Sequence, residues 1–228
     1  MDWEARYQAN DTPWHKGGAA HPALLRFLQE GVPSGAWEDG PTMRERWSDA
    51  VRVAFRGRVL VPGCGFGADV RAIAGAAVDA SGNDREWAPV VGIDIAPTAV
   101  RQAAELPKAR PTSAEVFDVA DLFNLPEEYR AVFDAVWEHT CFCAINPVER
   151  PRYAEGVKVA LKEGGFLLAV FYIDPDMDPG EEGPPFAVSP QELDLFFDPL
   201  FEKLAEWVPE TFPTREGREL VRLYRRRG

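Results

Sequence analysis

Cysteine and histidine are scarce, at three residues each. An odd cysteine count excludes a full disulfide framework. Cys141 and Cys143 stand one residue apart, with no second cysteine pair and no histidine array nearby, so a structural zinc site is not expected. His15, His21 and His139 are scattered, and no metal is expected on them. Basic charge is also in deficit. Against 37 acidic residues there are 25 Lys and Arg, a formal net charge of −12. That excess opposes non-specific attraction to nucleic acid or to an anionic membrane, although it leaves room for local basic pockets and small anionic substrates. No apolar run reaches the roughly 18 residues of a membrane span. The opening Met1-Asp2-Trp3-Glu4 lacks the basic start and apolar stretch of a secretory signal. The expectation is a cytoplasmic monomer with no nucleic-acid partner and no stable membrane association.

What is present is enough for one sizeable core. The 228 residues are 46% hydrophobic and include 14 Phe, 7 Trp and 5 Tyr. Residues 1–56 read as an N-terminal cap or flank, and 57–228 as the main domain, the two integrated rather than independent. Trp3, Tyr7 and Trp14 punctuate a polar opening, and a short helical pattern follows His21-Pro22 on Leu24, Leu25, Phe27 and Leu28. Residues 31–42 read as a loop from their Gly and Pro; 43–55 read either as a helix or as a surface insertion. From Arg58 onward, strands alternate with helices. Strands are expected at 59–61, 90–95, 114–117, 132–137 and 166–172, and helices follow 69, 97, 149 and 190. The helix over 149–162 is closed by Gly164-Gly165, and two last strands lie near 201–208 and 220–224. This order predicts an open α/β sheet covered on both faces, with a terminal antiparallel hairpin.

The chemistry gathers at the ends of these strands. Gly63-x-Gly65-x-Gly67 follows a strand and opens a helix, with Cys64 as a small side chain inside the turn. Glycines there permit positive φ and close approach of backbone to a cofactor. Asp94 ends the second strand, where a carboxylate can accept both hydroxyls of a ribose; a helix cap before Pro97 is the plain alternative. Turn and carboxylate alone would also suit a dinucleotide enzyme, but the spacing is GxGxG rather than GxGxxG. Asp121, followed by Leu122 and Phe123, offers an acceptor for an adenine amino group and apolar surface for its faces. Asp118 competes for that role.

In these motifs the chain resembles the class I Rossmann-like methyltransferases. More narrowly it resembles the thiopurine methyltransferase superfamily, especially the plant and fungal thiol or halide methyltransferase branch. The resemblance rests on Thr12-Pro13-Trp14-His15-Lys16-Gly17, His21-Pro22-Ala23-Leu24 and the stretch from Leu60 to Val70. It continues through Val91 to Ile95, Asp121-Leu122-Phe123, Phe133 to Ile145, Leu161 to Gly165, and Gly183 to Ser189. Ala120 stands where the pattern has glycine and Leu122 where it has an aromatic, and 34–52 and 78–89 look enlarged. The resemblance implies a central seven-stranded, mostly parallel sheet and the cofactor S-adenosyl-L-methionine. Its implied cofactor contacts are Trp14, Gly63, Cys64, Gly65, Gly67, Asp94, Ile95, Asp121, Leu122, Glu138, His139 and Thr140. It further implies direct displacement, in which a thiol, bisulfide, thiocyanate or halide attacks the sulfonium methyl carbon opposite the departing sulfur. Phe142, Tyr172 and Phe186 are the candidates for a small acceptor pocket, Tyr172 also as a hydrogen-bond donor, with Trp3 and Tyr7 as cover and Arg215 as a contributor to local positive potential. Aromatic-thiol transfer, transfer to oxygen or nitrogen of a small metabolite, and a non-catalytic cofactor-binding regulator stay open.

Overall fold

A computed structural model describes residues 1–76, 88–109, 114–175, 177 and 183–228. Seven strands form one sheet in the order β3-β2-β1-β4-β5-β7-β6. They are β1 (Val59–Pro62), β2 (Val90–Asp94), β3 (Glu115–Val119), β4 (Phe133–His139), β5 (Leu161–Tyr172), β6 (Phe201–Trp207) and β7 (Glu219–Arg226). The first five pair in parallel, and β7 runs antiparallel to both β5 and β6. This is the class I Rossmann-like methyltransferase arrangement expected from the sequence. The terminal hairpin is present as well, with its later strand inserted next to β5.

Alternation along the strands splits the core in two. Val59, Val61, Trp137, Leu168 and Val170 face one layer; Leu60, Val136, Leu167 and Phe171 face the other. Burial on both faces explains why these strands read as continuous apolar runs. The first layer receives α2 (Pro22–Glu30), α3 (Pro41–Ala54) and α4 (Ala68–Gly75), through Leu24, Phe27, Val51, Phe55, Val70 and Ile73. The second receives α6 (Arg150–Ala160) and α7 (Pro190–Phe197), through Tyr153, Val157, Leu193 and Phe197. Short α1 (Trp3–Gln8) lies against α5 (Pro97–Glu105): the Glu4 carboxylate accepts the Thr98 N–H at 2.9 Å and its hydroxyl at 2.7 Å.

Two readings change. Residues 43–55 belong to a helix whose Val51, Ala54 and following Phe55 enter the core, so they are no surface insertion. The helix expected to run to 162 stops at Ala160, because Leu161 is already extended and pairs with Phe133 of β4. The next pair is Ala135 with Phe166, so Gly164 (φ +71°) and Gly165 serve an irregularity inside β5 rather than a helix end. Of the segments that looked enlarged, 34–52 spans the antiparallel bridge Trp37–Ala205 and most of α3. The other, 78–89, lies largely outside the described residues, as do 176 and 178–182 of the long loop after β5.

Candidate functional site

A cavity of about 1010 Å³ opens at the carboxyl ends of the parallel strands, where open α/β sheets bind ligands. Its floor and walls come from the segments that follow those strands: Pro62–Gly63, Ile93–Ile95, Ala120–Asn124, Thr140–Cys141 with Cys143–Ile145, and Tyr172. Pro184, Pro185, Thr214 and Arg215 close one side, and the N-terminal segment adds Trp3, Arg6, Tyr7, Pro13, Trp14 and Lys16. These aromatics hold one another edge to face: Trp3 on Trp14 at 5.4 Å and Tyr7 on Phe66 at 5.3 Å. The Trp14 indole N–H donates to the Tyr7 hydroxyl at 3.3 Å.

The glycine turn is built for close approach. Gly63 has φ +58°, and a Cβ placed on it would stand 2.8 Å from the Cβ and Sγ of Cys141. Only glycine lets the turn after β1 pass so near the loop after β4. The Cys64 N–H donates to the Ile93 carbonyl at 3.0 Å, tying the turn to β2. Asp94 then accepts the Gly65 N–H at 3.0 Å and the Ala96 N–H at 2.9 Å. An ionised carboxylate has roughly four acceptor sites, so Asp94 keeps acceptor capacity toward the cavity it lines. Burial pushes its pKa up, against the pull of these backbone donors.

Of the residues expected at the cofactor, Trp14, Gly63, Asp94, Ile95, Asp121, Leu122 and Thr140 line the cavity. Asp121 accepts from the Phe123 N–H at 2.8 Å and the Asn124 amide at 2.6 Å. Its competitor Asp118 is off the wall and accepts from the Tyr129 hydroxyl at 3.0 Å. Cys64, Gly65 and Gly67 shape the turn from behind. Glu138 and His139 are also off the wall. Glu138 is 1% exposed and accepts the N–H groups of Cys141 and Phe142 at 3.1 and 2.8 Å, with Tyr153 donating to its other oxygen. Burial pushes this carboxyl up to about 7. His139 Nδ1 bonds Asp69 at 2.8 Å, and Asp69 also takes the Trp137 indole N–H and the His21 backbone N–H, each at 2.9 Å. Thr140 has φ +65°, a strained backbone for a β-branched residue, at the point where the chain leaves β4 for the cavity.

Of the three acceptor-pocket candidates, Tyr172 lines the cavity and Phe142 does not. The Phe142 ring is 1% exposed and packs on Tyr153 and Phe171, each at 5.3 Å, because the loop turns it into the second core layer. Phe186 does not line the cavity either; its N–H donates to the Cys143 carbonyl at 2.7 Å. The Arg150 guanidinium secures the same segment through the carbonyls of Phe186 and Ala187 at 3.1 and 2.8 Å. Cys141 and Cys143 do face the cavity. Burial raises both thiols, Cys143 to about 12, so neither is an activated nucleophile. Sequence reasoning missed Arg6, Lys16, Tyr153 and Thr214 on the wall and gave Arg215 no privileged place. The four-residue spacing of Arg215 and Glu219, bonded at 2.9 Å, was the one available signal.

Among the described residues, His21, His139 and Glu219 bring ligand-type atoms within 4.8 Å of one another. His21 Nδ1 accepts the Ala23 N–H at 3.1 Å, so its proton sits on Nε2 and points at Glu219, 2.9 Å away. A metal at Nε2 would require that proton to leave. Burial lowers the His21 pKa and keeps the ring neutral. The cluster is a hydrogen-bond hub.

Comparison with known proteins decides the family. The family model "Thiopurine S-methyltransferase (TPMT)" matches residues 36–217. The chain belongs to the thiopurine S-methyltransferase family. It is a methyltransferase that uses S-adenosylmethionine. A probable thiol methyltransferase 2 of Arabidopsis thaliana is 32% identical over 209 residues, covering 89% of this chain and 74% of that one. Thiocyanate methyltransferase 1 of Brassica oleracea is 32% identical over 212 residues, covering 86% and 87%. A thiopurine S-methyltransferase of Oryctolagus cuniculus is 28% identical, covering 71% and 68%. Among solved structures, a protein studied for conversion of a disulfide bond into a thioacetal group in echinomycin biosynthesis superposes with a TM-score of 0.70. It is 20% identical, with 99% and 91% of the two chains covered, and supports the fold alone. No helix among the described residues of this methyltransferase is long and apolar enough to cross a membrane.

Proposed function

We propose that this methyltransferase acts on a small sulfur or halide nucleophile: a thiol, bisulfide, thiocyanate or halide. The observation that carries the reading is the wall around Tyr172. Tyr172, Pro184, Pro185, Thr214 and Arg215 bring a guanidinium, two hydroxyls and apolar surface to that wall, and among the described residues the cavity's carboxylates, Asp94, Asp121 and Glu149, come from other segments. A wall whose described residues carry no carboxylate or imidazole suits an acceptor that arrives as an anion and needs no base. The plant relatives named for thiol and thiocyanate transfer support the same class.

S-adenosylmethionine supplies an electrophilic methyl group on a sulfonium when bound. In this reading the Asp94 carboxylate takes the ribose hydroxyls, and Asp121 with Leu122 and Phe123 takes the adenine. The backbone of Gly63 and of the Thr140–Cys141 segment takes the amino-acid end. Two features support the fit: acceptor capacity left on Asp94, and a Gly63 backbone with no room for a Cβ. Residues 1–18 roof the cavity and exclude water, with Trp14 facing it. Glu138 and His139 hold the loop after β4, and Phe142 and Phe186 back the wall. Residues 20–56 work as part of the core layer rather than as a cap.

A second reading, an aromatic thiol as acceptor, is favoured by the cavity volume of about 1010 Å³ and the rabbit relative. Labelled-methyl transfer to thiocyanate, bisulfide, iodide, thiophenols, amines and alcohols separates the two. Turnover of the small anions is expected. Transfer confined to thiophenols would favour the second reading, and transfer confined to amines or alcohols would defeat both.

A further inference from the structure

The hub that joins His21 to Glu219 also reaches the cavity. Sheet register places Glu219 opposite Tyr172, the first residue of β7 against the last of β5. Four residues earlier, in the turn that enters β7, stands Arg215. Its Nη1–H donates to Glu219 Oε1 at 2.9 Å, and its guanidinium lies 4.8 Å from the centre of the Tyr172 ring. Arg215 lines the cavity, whereas Glu219 does not and is 1% exposed.

The two carboxylate oxygens divide their work. Oε1 faces Arg215. Oε2 takes the His21 Nε2–H at 2.9 Å and the Thr211 hydroxyl. Because the Ala23 N–H occupies His21 Nδ1, His21 is neutral and fixed in one tautomer. The balancing cation for Glu219 in this hub is therefore Arg215. A guanidinium is planar, so one bonded N–H and one contact over the Tyr172 ring restrict its orientation. Among the described residues no other side chain takes the remaining N–H groups of Arg215, and Arg215 lines the cavity.

We infer that Glu219 is a positioning residue for acceptor binding: it holds Arg215 over Tyr172 so that the guanidinium presents donors to an anionic acceptor. The inference rests on the proposed sulfur or halide chemistry. Gln at 219 would not reproduce the arrangement. With its oxygen toward Arg215, its amide N–H would meet the His21 and Thr211 donors. Reversed, it would meet the arginine.

The test compares wild type, Glu219→Gln, Glu219→Asp, Arg215→Met and the Arg215→Met/Glu219→Gln pair. Thiocyanate is the acceptor, and calorimetry follows S-adenosylmethionine binding. Loss of a charge-assisted hydrogen bond predicts about a tenfold or larger rise in thiocyanate KM for Glu219→Gln, with cofactor Kd changed less than about threefold. Glu219→Asp should recover part of the loss. In the Arg215→Met background, Glu219→Gln should add less than about twofold, because residues acting as a unit are not additive. Multiplicative effects, or equal loss of cofactor affinity, would overturn the inference. If Glu219→Gln does not fold, Thr211→Val takes its place, with a smaller rise confined to thiocyanate KM expected and an unchanged KM counting against it. Crystal structures of wild type and the variant decide the positioning claim without turnover. Arg215 displaced from Tyr172 supports it, and Arg215 unmoved overturns it. A wild type inactive on every sulfur and halide acceptor would instead defeat the functional reading and leave the crystallographic outcome to judge Glu219.

Discussion

Three carboxylates, two on the cavity wall and one buried off it, are held in three ways, and each makes a different prediction. Asp94 accepts from the backbone of Gly65 and Ala96 and lines the cavity, where the proposed reading has it accept from the ribose. Losing charge-assisted bonds of about 1.5–3 kcal/mol in Asp94→Ala should weaken S-adenosylmethionine binding by about 10–100-fold, read by calorimetry. Unchanged affinity would remove Asp94 from the cofactor site. Asp121 uses both oxygens on Phe123 and Asn124, so Asp121→Ala should cost fold stability as well as adenine contacts. Glu138 is buried, and its carboxyl is pushed from 4.5 up to about 7. Between those values the folded chain keeps a proton that the unfolded chain has lost, so stability falls as pH rises through that window. Glu138→Gln carries a permanent N–H toward Tyr153 and should flatten that slope in denaturant titrations from pH 4.5 to 7.5. An identical slope in the variant would show that Glu138 titrates elsewhere.

The elements differ in how openly the sequence declares them. Helix α7 is legible because Ser189 and Glu192 form a capping box around Pro190, a purely local device. The start of β5 is not. Gly164-Gly165 reads as a helix stop, yet the boundary is set by pairing of Leu161 with Phe133, a contact between segments 28 residues apart. Segment α1 also escapes a regular reading: its six residues are held by Asp2, whose side chain caps Ala5, and by Glu4 at Thr98. Besides Glu4, it is anchored by the aromatic cluster and by Tyr7 on Ala96 and Ala99. Deleting residues 1–18 should leave a folded domain and reduce cofactor affinity by about tenfold or more, since the cavity loses its aromatic cover. Global unfolding on deletion would make this segment part of the core instead. Phe197 behaves oppositely. Fully buried against Phe142, Phe171 and Tyr224, it should cost about 3–5 kcal/mol as Phe197→Ala in chemical denaturation.

At the scale of the molecule, a strongly acidic chain offers a cavity with cations on its wall. Arg6, Lys16, Arg152 and Arg215 all reach it, although the net charge is −12. Composition therefore limits macromolecular partners and says little about the acceptor. The segments expected at the cofactor were placed on strand ends and a glycine turn, where local pattern and position coincide, and Gly63, Asp94, Ile95, Asp121, Leu122 and Thr140 do line the cavity. The wall around Tyr172 was legible only in part: the sequence points to Tyr172 and Arg215 as site residues, but not to Thr214 or the proline pair. Arg215, Thr214 and the proline pair come from connections whose placement depends on β7 entering between β5 and β6, a topological fact that no local spacing carries. Phe142 failed as a pocket residue for the same reason: its neighbours in space decide which way its ring turns.

Headspace mass spectrometry of purified protein supplied with S-adenosylmethionine and thiocyanate, bisulfide or iodide tests the central claim most directly. The account predicts methyl thiocyanate, methanethiol or methyl iodide in step with S-adenosylhomocysteine, reduced by Asp94→Ala at sub-saturating cofactor and by Arg215→Met. S-adenosylhomocysteine formed only with amines or alcohols, or no acceptor-dependent product from a chain that binds the cofactor, would contradict it.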